Sequence, residues 1–140
     1  MTKYLSLIFI LIVVSCQQKV NSQNFSSKGY EALAYETFDI EPNVVFDENE
    51  VGDYVLATYL VKNNIPGTEV LKVLVIKIAT NEVVYQQSIN NGTVRWEDDY
   101  TVKMLSPPGI PNGNQATLAD YTYYLDVKTG KKTQKTTSQN

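Results

Sequence analysis

The chain has 140 residues and a net charge of −3, with no histidine, one cysteine and ten tyrosines. Lack of histidine excludes His-activated nucleophiles and His-ligated zinc or copper, and a lone thiol closes no intramolecular disulfide. The acidic balance disfavours nucleic acid as a partner, because that binding rests largely on Lys and Arg neutralising phosphates.

The N-terminus carries one positive charge, Lys3, then an apolar run from Leu5 to Val14 interrupted only by Ser6, then Ser15 and Cys16. A run of about ten residues is half of what spans a bilayer as a helix, so a removed signal peptide fits better than a membrane span. Val13-Val14-Ser15-Cys16 resembles the lipobox of bacterial lipoproteins, in which aliphatic and small residues precede an obligatory cysteine. The resemblance covers only the first sixteen or so residues. It implies cleavage between Ser15 and Cys16, a diacylglyceryl thioether on Cys16 and acylation of the new amino group. The membrane is then a partner through this lipid, each buried methylene contributing roughly 0.8 kcal/mol. By the same resemblance, Gln17 is not the aspartate of inner-membrane retention, which favours the outer membrane. Gln17-Gln18-Lys19 lacks the acidic residues that mark surface export in some lipoproteins, which favours the periplasmic side.

Residues 16–29 have no apolar periodicity around Phe25 and read as a flexible tether. The domain is expected over residues 30–132, with a polar, disordered tail over residues 133–140. Removing residues 1–15 takes away Lys3 alone, leaving eleven basic side chains against fifteen acidic ones. The acids crowd between Glu31 and Asp53, where no Lys or Arg occurs, and Lys128 to Lys135 holds four lysines and no acid. These read as a solvated acidic edge and a basic end.

Strand signals dominate, with almost no helix signal. Glu36 to Ile40 alternates polar and apolar, and Pro42 interrupts before Val44-Val45-Phe46. Asp53 to Lys62 is apolar on both faces. Val70 to Ile78, after a turn at Pro66-Gly67, is a β-branched run suited to a doubly covered strand. Val83 to Ile89 follows a turn at Thr80-Asn81. Asn90-Asn91-Gly92 predicts a tight hairpin, because Asn and Gly tolerate positive φ. Thr93 to Glu97 returns, Asp98-Asp99 turns, and Tyr100 to Leu105 follows. After the irregular piece from Ser106 to Ala119, Tyr121 to Lys128 alternates, with Tyr121, Tyr123, Leu125 and Val127 on one face. Thr129-Gly130 turns the chain out.

Seven or eight short strands at this spacing predict an all-β, antiparallel sandwich. Ala119-Asp120-Tyr121-Thr122-Tyr123 resembles the segment that enters strand F of immunoglobulin-like domains, where a tyrosine caps a corner. The sandwich is therefore expected to be immunoglobulin-like in architecture.

Chemistry-bearing residues are few. No Gly-rich phosphate loop or G-x-S-x-G elbow occurs. A carboxylate pair for glycoside hydrolysis would have to come from Glu97, Asp98 and Asp99, yet neighbours on a strand point to opposite faces. Calcium is the best metal candidate, with Asp47, Asn49 and Asp53 concentrating oxygen donors around Gly52. Recognition residues are expected at Arg95 and Trp96, close to the Asn90-Asn91-Gly92 tip, and at an outward Tyr124 or Tyr100. The loop from Ser106 to Asn114 is the other expected surface, with Pro107, Pro108 and Ile110, five of its nine residues being proline or glycine. The whole reads as a non-catalytic, lipid-anchored binding or assembly module for another envelope protein, a secreted chain or a glycan. The alternatives are an envelope enzyme inhibitor and a calcium-dependent adhesion domain.

Overall fold

The computed structural model describes residues 28–39, 43–65, 67–108 and 117–134. Helix α1 (Gly29–Phe38) precedes eight strands: β1 (Val45–Glu48), β2 (Tyr54–Lys62), β3 (Glu69–Lys77), β4 (Glu82–Asn90), β5 (Thr93–Asp98), β6 (Thr101–Leu105), β7 (Thr122–Asp126) and β8 (Lys131–Gln134). They form two antiparallel sheets of four, ordered β1-β2-β3-β4 (sheet A) and β5-β6-β7-β8 (sheet B). The eight-stranded antiparallel sandwich is as the sequence predicts. Each sheet is a meander of consecutive strands, and the chain passes between sheets once, at β4–β5, whereas immunoglobulin domains interleave their sheets through Greek-key crossings.

Strand alternation sends successive β2 and β3 side chains to opposite faces, and both faces are buried. On one face Tyr54, Leu56, Val73, Val75 and Ile89 pack with Val102, Met104, Leu125 and Val127 between the sheets. On the other, Val55, Ala57, Leu74 and Ile76 lie under Tyr30, Ala34 and Phe38 of α1. The protein thus has three layers: helix, sheet A, sheet B. The helix corrects the expected strand at Glu36–Phe38, and Ile40 at the end of that expectation lies outside the described residues. Tyr30, Ala34 and Phe38 stand four apart, so one helical face docks on sheet A. Asp39, left-handed at φ 54°, ends the helix by donating its N–H to the Glu36 and Tyr35 carbonyls. Gly29 belongs to the helix rather than to the tether.

Two contacts fix the helix start. The Lys28 ammonium donates to Glu48 Oε1 at 2.5 Å, and the Tyr30 hydroxyl donates to the same oxygen. Hydrogen bonds from Lys28 and then Tyr30 hold the Glu48 carboxyl below its ordinary value of 4.5. A carboxyl lowered by folding stabilises the native state above that value, and the contribution disappears as pH falls through the lowered one. Stability should therefore decline from about pH 5 downward, with a shallower decline for Glu48→Gln; equal slopes in urea titrations across that range would contradict the assignment. The effect is small, because both side chains are more than one-third exposed.

Two turns differ from expectation. Asn90-Asn91-Gly92 is a corner between sheets and not a hairpin. Asn91 (φ 49°) donates its N–H to the Glu69 carbonyl at 2.8 Å, and its side-chain oxygen accepts the Glu69 N–H at 2.9 Å. The chain is thereby pinned to the start of β3 and leaves towards the other sheet. Gly92 permits the close pass, since a Cβ there would lie 2.2 Å from the Leu105 carbonyl oxygen. At the other end, Thr129-Gly130 closes a hairpin instead of releasing a tail. Asp126 Oδ1 accepts the Lys128 and Thr129 N–H groups at 2.9 and 3.0 Å, and β8 pairs with β7 as far as Gln134 opposite Tyr123. The domain therefore extends past residue 132. Tyr121, expected in the last strand, closes a short 3-10 turn, Leu118–Tyr121, capped by Thr117 and Asp120.

Candidate functional site

Strand β5 crosses sheet A obliquely. It starts beside the end of β4, and its Trp96 Nε1 donates to the Asp47 carbonyl of β1 at 2.9 Å. β4 and β1 are the two edges of sheet A, about 14 Å apart at three strand spacings, and the stretch from Asn90 to Trp96 spans roughly 20 Å. Arg95 and Trp96, expected to act together, are consequently separated by the pleat. Trp96 is half-buried against the core between the sheets, whereas Arg95 points outward from sheet B with its side chain 69% exposed.

On that outer face, Arg95 pairs across to Lys103, Lys103 to Tyr124 and Tyr124 to Thr133, forming one row. The Lys103 ammonium lies 5.7 Å from the Tyr124 ring centroid, and Glu97 lies 3.6 Å from Arg95 and 3.7 Å from Lys103. The structure thus joins Arg95 and Tyr124 through Lys103, which sequence reading passed over. Beside this row Leu105 and Leu118 floor a shallow hollow of about 300 Å³, and Leu118 is 70% exposed. Pro107 is half-buried and Pro108 exposed where the chain leaves β6, while Ile110 lies outside the described residues, as does Cys16.

The expected calcium loop serves a different purpose. Asn49 is 4% exposed. Its side-chain oxygen accepts the Asp53 and Tyr54 N–H groups at 3.0 Å each, and its amide donates to Asp53 Oδ1 and the Asp99 carbonyl at 2.7 Å each. Every polar capacity of Asn49 is therefore used inside the protein, and exposed Asp47 contributes its backbone carbonyl to Trp96. Asn49 and Asp53 are bonded to each other in the turn, and Asp47 lies on the preceding strand β1. Among the described residues, no three Asp, Glu, His or Cys side chains converge to hold a metal ion.

Glu97, Asp98 and Asp99 also diverge. Glu97 faces the basic row. Asp98 Oδ1 accepts the Tyr100 N–H at 2.9 Å, a bond that holds its carboxyl below the usual range, and Asp99 offers its carbonyl to Asn49. Tyr100, expected outside, is half-buried edge-on to Tyr54 at 6.2 Å, with the Lys128 ammonium 3.2 Å from its ring centroid.

An open groove lies between the sheets. The two sides where sheet edges meet are unequal. At the β4/β8 side, Lys132 Nζ bridges to Gln87 Oε1 at 2.8 Å and covers the Tyr123 ring at 4.4 Å. At the β1/β5 side, the Trp96–Asp47 bond closes one end only. Beyond it opens a groove of about 900 Å³, with Val45, Leu60, Leu71 and Val94 on its walls and Lys62 and Glu69 on its rim. Val45 is 64% and Leu60 41% exposed. Sequence reading missed this groove. No helix among the described residues is long and apolar enough to cross a membrane. No protein-family model matches the chain, and no curated protein or solved structure matches it significantly.

Proposed function

We propose that the protein is an envelope lipoprotein, anchored through lipid on Cys16, that works as a non-catalytic module docking a partner polypeptide in the groove between its sheets. The groove carries this reading: Val45 and Leu60 stay exposed above it although the other apolar side chains of the same sheet are buried or half-buried. Exposed apolar walls with a charged rim characterise protein-docking surfaces. The lipobox-like Val13-Val14-Ser15-Cys16 supports the anchor, and Gln17 supports the outer membrane. A non-catalytic role is supported by the absence of histidine and by the diverging directions of Glu97, Asp98 and Asp99.

The test is photocross-linking in cells, with a photoreactive phenylalanine analogue at Val45 and, as control, at exposed Glu82. The expected result is a discrete adduct from Val45 that disappears when Leu60→Asp is added. No adduct, or equal adducts from both positions, would contradict docking in the groove.

A further inference from the structure

We propose that β5 accepts an added strand, an extended segment of a partner polypeptide that hydrogen-bonds to its free edge and seats alternate apolar side chains in the groove. The inference rests on the binding-module reading and names its mode and partner. β5 is the edge of sheet B: β6 pairs with one side, and among the described residues no strand pairs with the other. That free edge borders the groove through Thr93 and Val94, opposite Val45 of β1, the edge strand of sheet A. The open seam therefore offers a row of backbone donors and acceptors beside an apolar trough. A folded surface or a short-chain ligand uses only the trough, whereas an extended strand satisfies both.

The charges specify the partner further. A strand added to β5 alternates its side chains as β5 does. Its inward positions lie beside Val94, facing Val45 and Leu60, and call for aliphatic residues. Its outward positions lie beside Arg95, which is 69% exposed and has Glu97 at 3.6 Å. An acidic residue opposite Arg95 complements that charge. The partner segment is thus a short extended strand that runs along β5 as far as the Trp96–Asp47 bond, with aliphatic side chains alternating with polar ones that include an acid. The opposite seam is unsuited, because Lys132 already bridges it to Gln87.

The test uses the mature chain and a soluble peptide of about eight residues in which valine alternates with threonine and a central glutamate, read by residue-resolved amide exchange. With peptide at about ten times its dissociation constant, amides on the free edge of β5 should exchange about tenfold more slowly. N-methylating alternate peptide nitrogens, which removes ladder donors and leaves the side chains, should abolish the effect. Arg95→Glu should weaken this peptide about tenfold and favour a version with lysine for glutamate. Binding that survives N-methylation overturns strand addition while leaving docking in the groove intact. No binding by any of these peptides also overturns it, whereas the docking reading falls only with the cross-linking result above. Slow exchange at this edge without peptide overturns it as well: at all concentrations it would mean another segment of this chain fills the seam, and only at high concentration a second copy.

Discussion

Asn49→Ala is expected to destabilise the fold by about 3 kcal/mol, lowering Tm by about 12 °C. The side chain is buried and makes four hydrogen bonds joining three stretches of chain: the turn after β1, the start of β2 and the β5–β6 turn at Asp99. Alanine removes the acceptor for two backbone N–H groups and the donor for the Asp99 carbonyl. Leaving such groups unsatisfied is what makes the loss large, at roughly 1–3 kcal/mol for each buried one. Thermal unfolding followed by circular dichroism reads the effect, with exposed Glu50→Ala as the comparison expected to stay within about 0.5 kcal/mol of wild type. The same geometry predicts that millimolar calcium leaves the Tm of wild type unchanged. A rise would mean that Asn49 gives up these bonds to a metal.

Phe38→Ala is expected to cost about 3–4 kcal/mol in denaturant unfolding, the range for deleting a buried aromatic ring. Phe38 is 4% exposed and closes the helical layer over sheet A, its ring 6.2 Å from that of Tyr59. Glu36→Ala, two residues earlier on the exposed side, should change stability by less than about 0.5 kcal/mol. In an edge strand these two residues would share a face, so comparable effects would contradict the helix. A large difference supports the three-layer arrangement.

The sequence makes the strands of sheet A legible because β2 and β3 are apolar on both faces, a pattern that only double coverage explains. What covers the second face was not legible. The helix runs through Glu31, Thr37 and other residues without strong end signals, and Lys28 makes no side-chain cap. Over Glu36–Phe38 a short alternation imitates a strand, whereas the four-residue spacing of Tyr30, Ala34 and Phe38 spans nine residues and was the better guide. The Asn-Gly signal correctly marks positive φ at Asn91 but is silent about which sheet the chain joins next. That depends on the distant hydrogen bonds to Glu69.

The candidate site was legible in parts for the same reason. Arg95 and Tyr124 were singled out as residue types, and cross-strand register through Lys103 then joins them. Trp96 was expected to be on display, yet alternation turns it inward, where it joins β5 to β1. The groove depends on how two sheets diverge, and no local pattern encodes that. Its wall residues Val45 and Leu60 read simply as strand.

Intact-mass analysis of the protein from membrane fractions, comparing wild type with Cys16→Ser, tests the central claim most directly. The account predicts a wild-type mass equal to the chain from Cys16 onward plus acyl groups, and loss of both cleavage and lipid in Cys16→Ser. An unlipidated wild-type mass would contradict it and make the domain a protein released from the membrane, whose partners lie in solution.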